Sequence, residues 1–120
     1  MLIFYQYPRC STCVKARKWL QVNEITFTSI QMVDNPPLVD QIQQIHERSG
    51  QAIKKLFNTS GQSYRQGDFK NRLSNMSLLE CYQALAADGK LIKRPLLVSD
   101  DWVLIGFKEA QWQSTALKAE

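Results

Sequence analysis

Residues 2–20 read LIFYQYPRCSTCVKARKWL. Residues 2–6 are short, apolar and aromatic, the composition of a buried strand. After the break at Tyr7-Pro8, Cys13, Ala16 and Leu20 recur at helical spacing, while Lys15 and Lys18 fall off that stripe. Ser11 or Thr12 is placed to cap the helix start. Residues 25–30 then alternate with β-branched side chains, so a second strand is expected. The opening third therefore reads strand, loop, helix, strand. Its two cysteines, Cys10 and Cys13, stand where the first strand hands over to the first helix.

The rest of the chain continues that pattern. Asp34-Asn35-Pro36-Pro37 is a helix start, with cap residues before prolines. Leu38, Ile42 and Ile45 follow as its apolar stripe, and Gly50 ends it. A short apolar piece, residues 53–57, leads into a polar loop and then a polar stretch over 62–75 read as short helical turns. Ser77-Leu78-Leu79-Glu80 has the form of a capping box. Leu78, Tyr82 and Leu85 form the stripe of the helix behind it, and Asp88-Gly89 stops it. Residues 91–98 and 102–105 flank the turn Ser99-Asp100-Asp101 and predict a hairpin. A last helix carries Trp112. The order βαβ, helices, ββα predicts an α/β fold with a mixed sheet.

Composition narrows the function classes. A chain of 120 residues with 44% hydrophobic residues buries a core without disulfide staples. Three cysteines, Cys10, Cys13 and Cys81, do not form a secreted disulfide framework. Residues 2–6 read as a strand, and no basic n-region or apolar h-region of signal-peptide length is read here. No apolar run approaches the roughly 20 residues that cross a bilayer. A cytoplasmic protein is expected. The net charge of +4 is too mild to argue for nucleic acid. Part of it, Arg9, Lys15, Arg17 and Lys18, clusters near the cysteine pair, which suits an anionic small substrate, an acidic partner, or a solvated face.

A thiolate is a far better nucleophile than a thiol. Cys10 is expected at the N-terminus of the first helix, where free backbone N–H groups and the helix dipole favour negative charge, with Arg9 as a nearby cation. Cys13 is one turn further in, facing the core stripe. Their spacing lets the sulfurs meet, with Cys10 attacking and Cys13 resolving. Two other readings stay open. A zinc site needs further ligands, for which only Cys81, His46 or carboxylates are available, and two inert, packed cysteines would also fit. Cys81 reads as a buried small hydrophobe, and His46, on a helix edge, as a surface residue.

Arg94-Pro95 is the second site of interest. Proline at the start of a hairpin strand must sit where its missing N–H does no harm. In cis it would bring backbone near the cysteine pair. Arg94 would then reach an oxyanion or support the Cys10 thiolate. The alternative is a proline that only opens a strand, beside a solvated arginine.

With YQYPRCSTCVKARKWL (5–20), LFNTSGQSYR (56–65), LIKRPLLV (91–98) and VLIGFKEAQW (103–112), the chain resembles the arsenate reductase (ArsC) and Spx family, a branch of the thioredoxin-like fold. The resemblance covers nearly all of residues 1–120. It implies a single domain with a thioredoxin-like mixed sheet, βαβ then ββα, and a helical insert between them. It implies Cys10 as nucleophile, Pro95 as a cis proline, and Arg94 in contact with the oxyanion or the cysteine. On the chemistry of the pair itself, Cys13 is expected to resolve, and Arg9, Ser11 and Thr12 are expected to support the thiolate or substrate. No bound cofactor or metal is implied. Reduced glutathione, glutaredoxin or thioredoxin would supply electrons for a small oxyanion or disulfide substrate. The Spx branch uses CxxC as a redox switch on a regulator that binds RNA polymerase. Direct contact with nucleic acid or membrane is not implied.

Two differences mark this chain. Single-cysteine arsenate reductases of the family use three arginines, and the positions of the first and third fall here at Asn58 and Gly106. The glycine that the Spx branch uses for partner contact falls at Ala52.

Overall fold

The computed structural model describes residues 1–117. A four-stranded sheet runs in the order β2-β1-β3-β4, with β1 Ile3–Gln6, β2 Thr28–Gln31, β3 Leu96–Val98 and β4 Val103–Ile105. β1 and β2 are parallel and the other two pairings antiparallel. The crossover between β1 and β2 is α1, Ser11–Val22. The mixed α/β sheet, βαβ then ββα, is the expected one.

Register sorts side chains to two faces, because neighbours along a strand point opposite ways. Phe4, Leu97 and Leu104 are in register across β1, β3 and β4. They meet Ala16, Trp19 and Leu20 of α1 and Trp112 in one core cluster. Burying each such apolar side chain contributes roughly 1.5–3 kcal/mol. Trp112, on α6 (Glu109–Trp112), is fully buried and packs edge-on against Phe4, Trp19 and Phe107. On the opposite face, Tyr5, Leu96, Val98 and Val103 join Ile42 and Ile45 of α2 (Val39–Ser49) and Cys81, Tyr82 and Leu85 of α5 (Leu78–Ala87). The sheet is thus covered on both sides.

The helical insert lies between β2 and β3 and includes α2 and α5. Between those two it holds a 3₁₀ turn at Ile53–Leu56, then α3 (Gln62–Gln66), α4 (Phe69–Arg72) and a second 3₁₀ turn at Leu73–Asn75. Phe57 bridges to Ile92, Asn58 N–H donates to Leu91 O at 2.7 Å, and Lys93 N–H donates to Leu56 O at 2.7 Å. These bonds pin the segment that leads into β3, and so fix where Arg94 begins.

Several boundaries differ from expectation. Cys10 itself occupies the N-cap of α1, with no side-chain cap bond, and Ser11 and Thr12 lie inside the first turn. Residues 25–27 are not strand. Ile25 turns in beneath α1 and Phe27 packs edge-on against Phe4, so apolar alternation there serves packing instead of pairing. α2 begins at Val39, after the prolines, and the Leu38 N–H donates to the Gln41 side chain at 2.8 Å. Leu38 and Leu78 sit at helix starts and are exposed, although periodicity placed both in a core stripe. The Ser77 capping box is present, with Ser77 and Glu80 bonded reciprocally at 2.8 and 3.1 Å. Residues 91–95 precede the strand, and only 96–98 pair as β3.

Candidate active site

β1 ends at Gln6, and the chain turns through Tyr7-Pro8-Arg9 before entering α1. Cys10 N–H donates to Tyr7 O at 3.0 Å, which closes that turn, and Cys10 O accepts from Val14 N–H at 3.0 Å as the first helical bond. Cys10 is half-buried and Cys13 is buried, at 1% exposure. All three cysteines are free thiols.

The two sulfurs differ in proton affinity. Burial pushes Cys10 upward, but hydrogen bonds from the Cys13 backbone N–H, the Cys13 thiol and the Arg94 side chain outweigh it, helped by the Arg94 charge. The net result is a Cys10 thiol below its ordinary value. Hydrogen bonding to the charged form of an acid favours that form, and the N-cap position supplies such donors by geometry. Cys13 is pushed up to about 12, first by burial and then by the hydrogen bond and charge of Cys10, against lowering by the Tyr7 backbone and Arg94. One thiol is set to ionise and its neighbour to stay protonated as a donor.

Arg94 comes from the segment that leads into β3, the strand paired directly to β1. The Arg94-Pro95 peptide is cis, Pro95 is buried, and Pro95 O accepts from Gly106 N–H at 2.8 Å. The guanidinium carbon lies 5.3 Å from the centre of the Tyr7 ring, and Nη1 reaches Lys90 O at 3.5 Å. Arg94 Nε is buried with no hydrogen-bond partner among the described residues, so a donor is left over at this site. Tyr7 escaped sequence reading. Its backbone shapes the turn and its ring carries the arginine, and only an aromatic beside the cysteine loop hinted at this.

The other expected residues are less engaged. Arg9, Ser11 and Thr12 are exposed, on the rim of the loop. The Ser11 and Thr12 amides belong to the helix's first turn and so lack intrahelical acceptors. Asn58 is half-buried, with its amide given to Leu91. Gly106 has φ +73°, a backbone that disfavours any side chain, and a Cβ there would sit 3.5 Å from Lys93 Cε. The structure therefore sets the Arg94 charge beside Cys10 and Cys13 and over the Tyr7 ring, with cis Pro95 next to Arg94 in the chain. His46 is half-buried, not a free surface residue, with Nδ1 2.6 Å from the Tyr82 hydroxyl. Cys81 is buried in the core. Among the described residues no three or more His, Cys, Asp or Glu side chains converge as metal ligands, so nothing completes the zinc set that Cys10 and Cys13 would need. No described helix is long and apolar enough to cross a membrane.

A CxxC pair where β1 hands over to α1 in a βαβ unit, with a cis proline at the entry to the neighbouring strand of a mixed sheet, is the arrangement of the thioredoxin-like class of proteins. Within that class the chain belongs to the ArsC family, whose model matches residues 5–115. Among curated proteins it is 44% identical over 112 residues to the uncharacterized protein YusI of Bacillus subtilis, covering 93% of this chain and 95% of that one. It is 26% identical over 109 residues to the global transcriptional regulator Spx of Lactiplantibacillus plantarum, covering 91% and 81%. Among solved structures, an ArsC family related protein from Bacteroides fragilis superposes with a TM-score of 0.91 at 43% identity, covering 94% and 95%. A possible arsenate reductase from Streptococcus mutans superposes with a TM-score of 0.85 at 46% identity, covering 90% and 92%.

Proposed function

We propose that the protein is a thiol-dependent oxidoreductase of the arsenate reductase type, with Cys10 as nucleophile, Cys13 as resolving thiol and Arg94 as anion-supporting cation. The observation that carries this reading is the position of Cys10 at the N-cap of α1, one turn from buried Cys13 and within reach of the Arg94 charge, which holds its thiol below the ordinary value.

With a disulfide substrate, the Cys10 thiolate attacks one sulfur, the substrate S–S bond breaks, and the leaving thiolate takes a proton. Cys13 then loses its proton and attacks the Cys10 sulfur. The mixed disulfide breaks, the second substrate thiol leaves, and a Cys10–Cys13 disulfide remains. Two electrons pass to the substrate. With arsenate, Cys10 displaces a hydroxide from arsenic, and attack of Cys13 on the Cys10 sulfur releases arsenite with the same electron count. A reduced dithiol protein or two glutathione molecules return the pair to thiols. The high proton affinity of Cys13 suits this order. Its thiol stays silent while Cys10 is anionic, and part of what raises it, the Cys10 charge, vanishes once Cys10 is in a covalent adduct. Arg94, with its spare Nε donor, supports an oxyanion or the leaving thiolate. Arg9 and the Ser11 and Thr12 amides add positive potential at the loop.

The reading is tested by turnover with arsenate and with glutathione disulfide, each with a thiol reductant, in wild type, Cys10→Ser and Arg94→Ala. Turnover on either substrate that is abolished by Cys10→Ser and reduced by Arg94→Ala is expected. Absence of turnover on both refutes an enzyme and leaves the second reading. That second reading is a redox-sensing regulator that binds RNA polymerase, favoured by the likeness to Spx and by Asn58 and Gly106 standing in place of two oxyanion arginines. It predicts stoichiometric polymerase binding that changes when Cys10 and Cys13 are oxidised.

A further inference from the structure

We infer that the outer edge of β4 is a docking strand for an extended acidic segment of a partner protein. β4 is the last strand of the sheet, paired to β3 alone. Trp102 O accepts from Ser99 N–H at 2.9 Å and Gly106 N–H donates to Pro95 O at 2.8 Å, so both of these residues face β3. Alternate residues of an antiparallel strand direct their backbone groups to the same side. Leu104 therefore also faces β3, and Val103 and Ile105 turn their N–H and C=O groups to the open edge, where they have no backbone partner among the described residues. An unpaired edge is a template for another strand.

That edge opens into a groove of about 780 Å³, with Phe57, Trp102 and Ile105 among its walls. Five cations border it, Arg48, Lys54, Lys55, Lys93 and Lys108, all exposed, and no Asp or Glu is among its described lining residues. Among the described residues no carboxylate lies within ion-pair distance of any of the five. Lysines beside an edge strand oppose pairing with a second copy of this basic chain. They leave a complementary, acidic strand as the occupant, since opposite potentials both attract the partner and fix its register. The groove also has an address relative to the cysteines. Lys93 precedes Arg94, and Gly106 is bonded to Pro95, so a segment laid along β4 ends beside the cis proline. The surface does not depend on Cys10 chemistry, and its test uses a cysteine-free probe.

The experiment is fluorescence anisotropy with a short labelled peptide of alternating glutamate and valine on the full chain. Its comparators are the same peptide N-methylated at alternate amides, its lysine counterpart, and an inorganic polyphosphate. Binding is expected for the acidic peptide alone, weakening as salt is raised. A Lys54→Glu/Lys55→Glu variant is expected to weaken it at least about tenfold, with its circular dichroism and melting temperature unchanged. In hydrogen exchange the peptide is expected to slow the Val103 and Ile105 amides. Equal binding of the N-methylated peptide, or tighter binding of polyphosphate, overturns strand pairing in favour of a plain polyanion surface. No binding of the acidic peptide, or no protection at Val103 and Ile105, overturns the docking strand altogether.

Discussion

Cys10 and Cys13, one helical turn apart at the start of α1, are driven to opposite proton affinities, Cys10 below the ordinary thiol value and Cys13 up to about 12. The asymmetry arises from position. The helix cap exposes one sulfur to backbone donors and to Arg94, and the core stripe takes the other out of water.

The first consequence is a pH profile. Alkylation of Cys10 by iodoacetamide, followed by peptide mass spectrometry, is expected to show a midpoint below the roughly 8.5 of a free cysteine. Arg94→Ala removes the cation that helps hold the Cys10 thiol low, so the midpoint rises and the rate near neutral pH falls. A midpoint unchanged by Arg94→Ala would assign the lowering to the helix cap and Cys13 alone.

Tyr7 is expected to act through Arg94. A guanidinium over an aromatic ring at a partly exposed site contributes about 0.5–1 kcal/mol, and here the separation is 5.3 Å. Tyr7→Leu should therefore slow Cys10 alkylation by about two- to fivefold by loosening Arg94, while Tyr7→Phe should leave it near wild type. In an Arg94→Ala background Tyr7→Leu should have no further effect.

The reduced protein is expected to lose stability on the alkaline side. Cys13 has a folded value raised above its unfolded value, so its contribution is complete below about pH 8.5 and is lost as pH rises towards about 12. Buried Tyr5, raised by desolvation, acts in the same direction. Cys10, lowered, acts in the opposite direction. Melting temperatures measured between about pH 8 and pH 11 should fall in the reduced form and fall less once Cys10 and Cys13 are joined, since the oxidised pair has no proton to lose.

Trp112 links the core to the site. It is fully buried among Phe4, Trp19 and Phe107, and its Nε1–H donates to Gly106 O at 3.1 Å. Trp112→Ala is expected to cost about 3–5 kcal/mol in denaturant unfolding. Trp112→Phe should cost less but still lose the bond that anchors Gly106, the residue bonded to Pro95.

Much of this molecule was readable from sequence where local chemistry and tertiary packing agree. Residues 2–6, the Ser77–Glu80 capping box and the hairpin around Ser99 each carry a local signal that the fold uses. The placement of Cys10 and Cys13 at a strand–helix junction followed from the first of these. Misplacements occurred where packing overrode pattern. Ile25 and Phe27 are apolar because α1 and Phe4 lie over them, not because they pair in a sheet. Leu38 and Leu78 fit a helical period but stand at helix starts, which point away from the core. Tyr7 could not be read, because its role depends on an arginine 87 positions away that only the sheet brings near.

The most direct test of the paired-thiol mechanism is intact-mass analysis after glutathione disulfide is added to reduced wild type and to Cys13→Ser. The mechanism predicts that Cys13→Ser stops at one glutathione on Cys10, while wild type passes through that adduct to a Cys10–Cys13 disulfide. A wild-type protein that keeps glutathione on Cys10, or that carries it first on Cys13 or Cys81, would contradict it.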